Sequence, residues 1–157
     1  MPTLRARSEA DTGTIAKAFA RLLRPGDTVL LEGPLGSGKT SFARALLRTL
    51  LGDPALVVPS PTYSLVQPYE GRGHSLLHID LFRLANAREA GELGIVDDLD
   101  AIRLIEWPER LPSLAAEADW RVTLSQDKKA GARRLDIAAT RDSARQSKAD
   151  AAFARWA

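Results

Sequence analysis

The sequence predicts a mixed α/β domain: a parallel central sheet with antiparallel strands added at its edges and helices on both faces. Three observations carry this. The apolar run Thr28-Val29-Leu30-Leu31 has the length and composition of a buried strand. It leads into a glycine-rich turn, and then into a segment where Phe42, Leu46 and Leu50 recur at helical spacing until Gly52. Elsewhere, short apolar runs end in turns or prolines and pair naturally as hairpins, so parallel and antiparallel neighbours are both required.

Taken in order, Thr3 to Arg7 alternates polar and apolar side chains like an edge strand. Ser8-Glu9-Ala10-Asp11 has capping-box spacing and opens a helix. Ile15, Phe19, Leu22 and Leu23 share its apolar face, and Pro25-Gly26 ends it before the first buried strand. The helix after the glycine turn spans about Lys39 to Leu51. Leu56-Val57-Val58 is short and apolar and runs into Pro59-Ser60-Pro61-Thr62, where two prolines exclude a helix.

Tyr63 to Tyr69 is extended, Gly71-Arg72-Gly73 turns, and Ser75 to Asp80 returns as the second arm of a hairpin. Arg88 to Leu93 is weakly helical, Ile102 to Trp107 is another apolar strand, and Leu111-Pro112 begins a loop. Trp120 to Leu124 and Arg134 to Ala139 form a last hairpin around Gly131. Residues 1–140 read as one domain. Residues 141–157, rich in Ala, Ser and Arg, read as a tail or a short, loosely attached helix.

Composition narrows the function classes. A chain of 157 residues suits a single core, and 45% hydrophobic with 27% charged residues is ordinary for a globular protein. No apolar run approaches the roughly 20 residues of a membrane helix. The start, Met1-Pro2-Thr3-Leu4-Arg5, lacks the apolar core of a signal peptide, so the cytoplasm is the expected compartment. The absence of cysteine excludes disulfides, thiolate metal sites and cysteine nucleophiles. A net charge of +2 does not by itself argue nucleic-acid binding. The basic residues toward the C-terminus, Lys128 to Arg155, are expected to be a solvated tail rather than an RNA contact, with the latter kept as the alternative.

Gly33-Pro34-Leu35-Gly36-Ser37-Gly38-Lys39-Thr40 is a complete G-x-x-x-x-G-K-T phosphate loop. Glycines let several backbone N–H groups close around a triphosphate because no Cβ stands in the way, and the following helix aims its positive end at the same point. Lys39 is placed to reach the β- and γ-phosphates, the Thr40 hydroxyl to ligate magnesium, and Ser41 extends the polar wall. The expected fold is therefore P-loop NTPase-like. Two strands end in acids, Leu76-Leu77-His78-Ile79-Asp80 and Arg103-Leu104-Ile105-Glu106. Carboxyl ends of neighbouring parallel strands open onto one crevice, so either carboxylate, or both, suits the Thr40-bound ion. Thr62 occupies the place of a switch threonine that senses the γ-phosphate. His78 shares a strand face with Asp80 and suits a satisfied buried histidine, and Trp107 suits the core.

Four segments together resemble the TsaE family: the phosphate loop, Ser60-Pro61-Thr62-Tyr63-Ser64-Leu65-Val66, His78-Ile79-Asp80-Leu81-Phe82-Arg83-Leu84 and Ile105-Glu106-Trp107-Pro108-Glu109. The likeness runs from about Ser8 to Arg134. It implies a small ATPase supporting threonylcarbamoyladenosine (t6A) modification of tRNA next to the anticodon. It also implies TsaD and TsaB as partners, with tRNA reached through that complex and ATP hydrolysis resetting it between turnovers. By the same resemblance Lys39 and Thr40 hold phosphates and magnesium, Glu106 joins the metal shell, Asp80 supports metal or water, and Thr62 is the switch. Trp107 then lies near the nucleotide rather than in the core, and Thr12 on the adenine side. Ser37 stands where alanine is common in the family, and Phe82 where tyrosine is common. Arg83 is the candidate for an arginine finger. Two other readings stay open on the residues alone. One is a small-molecule kinase with a lid between Arg83 and Arg88; the other is a nucleotide switch in which hydrolysis is incidental.

Overall fold

A computed structural model describes residues 3–157. Met1 and Pro2, part of the segment read above for a signal peptide, lie outside the described residues. The strands are β1 (Thr3–Ala6), β2 (Thr28–Glu32), β3 (Val66–Gly71), β4 (His74–Asp80), β5 (Ile102–Glu106), β6 (Trp120–Gln126) and β7 (Arg133–Ala139). They form one sheet in the order β1-β7-β6-β2-β5-β4-β3. β6, β2, β5 and β4 run parallel. β3, β7 and β1 are joined antiparallel at the two sides. The architecture is the one predicted, and the strand order, which the sequence left open, is now defined.

The helices are α1 (Glu9–Ala20), α2 (Lys39–Leu51), α3 (Ala87–Glu92), α4 (Pro112–Ala115) and α5 (Ser143–Phe153). Ser8 caps α1, its hydroxyl accepting from the Asp11 amide at 3.2 Å. β2 is buried on both faces, which is why it reads as a continuous apolar run rather than an alternating one. Val29 and Leu31 meet α1, α2 and α5 on one side, where Phe19 packs on Phe42 and, edge-on, on Trp120. Leu30 faces the opposite way into a second core with Ile79, Ile105, Leu84, Ala90 and Leu114. Each fully buried Leu or Phe contributes about 1.5–3 kcal/mol relative to exposure.

Three segments depart from expectation. Tyr63 is not extended: Thr62, Tyr63 and Ser64 form a turn closed by the Leu65 amide on the Pro61 carbonyl at 2.7 Å, and β3 starts only at Val66. Leu111-Pro112 opens a short helical turn, α4, because proline is favourable at the first helical position. The C-terminal helix is docked rather than loose. Ala149 and Phe153 of α5 are buried, and Arg145 forms a buried ion pair with Asp27 at 2.6 Å. Arg145 also lies 4.8 Å from the centre of the Trp120 ring and donates to the Leu22 carbonyl. Sequence patterning missed this because the anchoring partner lies 118 positions away.

Candidate active site

The phosphate loop joins β2 to α2 at the carboxyl end of the parallel strands. Gly33 adopts φ +148°, and a Cβ there would stand 2.3 Å from the Leu124 carbonyl oxygen and 2.6 Å from Ser37 Oγ. Only glycine fits. Gly38, at φ +101°, is the residue before the first turn of α2 and leaves that helix end without a side-chain cap. Its free N–H groups therefore point into the crevice. Ser37 Oγ is buried without a hydrogen-bond partner. Lys39 Nζ donates to the carbonyls of Gly33 at 2.6 Å and Pro34 at 3.1 Å, and sits 4.0 Å from the centre of the Trp107 ring. Burial lowers the Lys39 pKa, and the carboxylates of Glu106, Glu109 and Asp80 pull partly the other way.

The register of the sheet sets Asp80 directly opposite Glu106, and Leu31, near the end of β2, pairs with Glu106 on its other side. Both acids are almost fully buried. The Thr40 hydroxyl donates to Glu106, with Oε1 at 2.9 Å and Oε2 at 3.1 Å. His78 Nε2 donates to Glu106 Oε2 at 2.6 Å from within the sheet. Asp80 Oδ2 accepts from Ser60 and Thr62, both at 3.2 Å, and Oδ1 accepts from the Phe82 amide at 2.9 Å. One acid is thus tied to the phosphate-loop helix and the other to the Ser60–Thr62 turn.

Two non-glycine residues with left-handed backbone flank this centre, Leu65 at φ +66° and Trp107 at φ +58°. For a bulky side chain this conformation costs of order 1–3 kcal/mol and persists only where surrounding contacts enforce it. At Leu65 the carbonyl receives the Asp80 amide at 2.8 Å, fixing the turn against the end of β4. At Trp107 the chain turns from β5 into Pro108, which carries the indole over Lys39 and against Phe82, ring centres 5.1 Å apart.

Leu35, Gly36, Gly38, Lys39, Thr40, Ser41, Thr62, Asp80, Glu106 and Trp107 line one cleft of about 380 Å³. Gly33 and Ser37 do not line it: Ser37 is fully buried, with its Oγ against Gly33 inside the loop. Thr12 is elsewhere: it lines a separate groove of about 490 Å³ between α1 and α2, and Ser41 borders both spaces. Arg83, the finger and lid candidate, is exposed and stacked on the Tyr63 ring at 4.3 Å, outside the cleft lining. Ser60, Phe82 and Arg133 also line the cleft and were not singled out from sequence as site residues. Ser60 had a signal, since it shares the short proline-flanked segment with Thr62. Arg133 had none: it enters from the start of β7, and only the β6–β7 hairpin brings it beside Gly38, where a Cβ would stand 3.4 Å from its Nε.

Comparison with known proteins agrees with the motifs. The profile of the family described as threonylcarbamoyl adenosine biosynthesis protein TsaE matches residues 6–135. The tRNA threonylcarbamoyladenosine biosynthesis protein TsaE of Rickettsia conorii is 40% identical over 108 residues, covering 68% of this chain and 61% of that protein. This chain thus spans about three fifths of that relative's length. The Rickettsia bellii protein of the same name is 41% identical over 108 residues, 68% of this chain and 74% of its own. The Aquifex aeolicus one is 38% identical over 103 residues, covering 66% and 74%. The crystal structure of Bacillus subtilis YdiB superposes with a TM-score of 0.71 over 96% of this chain and 94% of that one, at 21% identity, which supports the fold. With four motif segments converging on one cleft and a family profile covering most of its length, the chain belongs to the TsaE family of tRNA threonylcarbamoyladenosine biosynthesis proteins.

Proposed function

We propose that this chain is an ATPase that binds Mg-ATP in the phosphate-loop cleft, hydrolyses it slowly alone, and serves t6A formation together with TsaB and TsaD. The observation that carries this reading is the Thr40–Glu106 pair at 2.9 Å, next to Lys39 and at the mouth of a loop that admits only glycine at position 33.

The residues suit the absent groups. The uncapped start of α2 and the free amides of the glycine loop suit phosphate oxygens. Among the described residues no cluster of three or more His, Asp or Glu side chains could hold a metal alone. That fits magnesium, which takes one or two protein oxygens and completes its shell with phosphates and water. Thr40 and Glu106 would hold it, with Asp80 in support, and when bound it would neutralise charge developing on the β- and γ-phosphates.

On nucleotide entry Lys39 exchanges the Gly33 and Pro34 carbonyls for phosphate oxygens. Thr62 turns from Asp80 toward the γ-phosphate, which releases Asp80 Oδ2 to orient a water. That water attacks the γ-phosphorus as the bond to the β–γ bridging oxygen breaks, and its proton leaves through Asp80. Trp107 and Phe82 shield the site.

Leu35, more than 80% exposed, and the part-exposed Phe82 line the opening, and Tyr63, also more than 80% exposed, lies in the adjoining Thr62 turn. Exposed apolar groups around a functional cleft suit a partner that completes it, and no helix among the described residues is long and apolar enough to cross a membrane. The decisive experiment is phosphate release from Mg-ATP by the chain alone and with a matched TsaB–TsaD complex. Strong stimulation is expected; a rate unchanged by the complex would overturn the partner-completed mechanism and favour a kinase or a binding-only switch.

A further inference from the structure

A second concavity, of about 870 Å³, lies at the β1–β7 side of the sheet and is more than twice the volume of the phosphate-loop cleft. Its charged lining comes from separate stretches of chain: Arg5 on β1, Arg7 after it, Lys129 in the β6–β7 turn, Arg134 on β7, and Arg155 beside Trp156 after α5. Two acids, Asp11 and Asp127, also face it. Asp11 is occupied by the Arg7 backbone amide at 2.9 Å, and Asp127 pairs with Arg134 at 3.6 Å and accepts from the Lys128 amide at 2.7 Å. Among the described residues no ion pair engages Arg5, Arg7, Lys129 or Arg155.

Arg5 and Arg134 are direct cross-strand partners, and Asp127, which interacts with both, offsets the repulsion of that like-charge pair. A charge on an exposed edge strand protects against aggregation, which accounts for Arg5 alone. It does not account for cations converging from β7, the hairpin turn and the C-terminal turn. Arg155 lies 4.4 Å from the centre of the Trp156 ring, which is itself half-buried against the core and Phe153, so the indole holds the guanidinium at the wall of the groove. Unpaired guanidinium groups suit phosphodiesters better than a protein face, which would bring more apolar area.

We infer that this groove binds the sugar-phosphate backbone of RNA, with Arg5, Arg7, Lys129 and Arg155 on phosphates. The family's role in tRNA modification supplies the class of nucleic acid. The inference does not rest on ATP hydrolysis. Consecutive residues of β7 serve the two spaces from opposite faces of the strand: Arg133 lines the phosphate-loop cleft and Arg134 the groove.

The test is fluorescence anisotropy of a labelled, unmodified tRNA transcript with the full chain at several salt concentrations. The variant carries Arg5→Ser, Arg7→Ser and Arg155→Ser together. Removing three phosphate contacts should weaken binding at about 50 mM salt by at least roughly ten-fold and flatten the plot of log affinity against log salt by about 2–3. Thermal unfolding and ATP affinity should stay as in the parent, and Lys129→Ser, in an exposed turn, should show a smaller loss in the same direction. Equal RNA affinity in parent and triple variant would overturn the inference, as would no binding by the parent at low salt. Loss of affinity for the TsaB–TsaD complex with RNA binding unchanged would also overturn it, assigning the groove to a protein.

Discussion

His78 Nε2 stands 2.6 Å from Glu106 Oε2 in the buried seam between β4 and β5, with its other ring nitrogen, Nδ1, buried and without a partner. Donation to a carboxylate places the proton on Nε2. Glu106 is therefore held from two sides, by Thr40 from α2 and by His78 from within the sheet.

Replacing His78 by Gln should leave ATP binding without magnesium nearly unchanged and weaken the magnesium dependence of binding and hydrolysis by about 10- to 100-fold, as for other groups that orient a metal ligand. Nucleotide titrations with and without magnesium would check this. An unchanged magnesium requirement would show that His78 only fills space.

Lys39→Ala or Thr40→Ala should abolish hydrolysis. Glu106→Gln should reduce it by at least about 100-fold, comparable to losing a preorganised group at a charged transition state. Phosphate release over single and multiple turnovers is the measurement. An unaltered rate in either the Lys39 or the Thr40 variant would refute the phosphate-loop assignment, and one in Glu106→Gln would remove Glu106 from the metal shell.

Gly33 and Gly91 make a controlled pair. Gly33→Ala places a Cβ 2.3 Å from the Leu124 carbonyl oxygen at φ +148° and should cost at least about 1–3 kcal/mol along with nucleotide binding. Gly91→Ala, inside α3 with nothing within 4 Å of its Cβ, should stabilise by about 0.5–1 kcal/mol. Chemical denaturation of both variants would show opposite signs.

Burial holds the Lys39 pKa down in the free protein, and phosphate oxygens should raise it on binding. ATP affinity should therefore fall as pH rises through the depressed value of the free protein. Between the free and bound values, binding should take up a proton. Calorimetry in buffers of different ionisation enthalpy measures that proton. For folding, the unfolded chain holds the proton between the depressed folded value and the ordinary lysine value, so this residue's contribution to stability rises with pH through that window.

Arg145→Met leaves the buried Asp27 carboxylate without its cation and should cost about 3 kcal/mol or more. Adding Asp27→Leu should recover little, because the Trp120 indole N–H and the Arg24 amide also donate to Asp27, at 3.3 and 2.9 Å, and would lose their acceptor. Urea unfolding of the single and double variants would test whether α5 belongs to the cooperative unit. A neutral single variant would return residues 141–157 to the status of an appendage.

Some of this was legible before any coordinates. Residue order in a phosphate loop is local chemistry: glycines, a lysine and a threonine within eight positions state their geometry because backbone freedom and reach act over that range. The same holds for β2, α1 and α2, whose apolar periods follow from which faces must be buried. Asp80 and Glu106 were recognisable as strand-end acids. That they lie side by side, one bonded to Thr40 and the other to Thr62, required the parallel register of β4 and β5.

What remained to tertiary structure were relations between distant segments. Arg133 reaches the cleft only through the β6–β7 hairpin, Arg145 finds Asp27 across most of the chain, and Thr12 faces a groove beside the cleft rather than the cleft itself. The turn at Thr62 and the strained backbone of Trp107 depart from local preference because contacts with β4 and Lys39 enforce them. Local sequence fixes what each segment prefers. The closing of the sheet decides which side chains share one low-dielectric space, and therefore which of them act together.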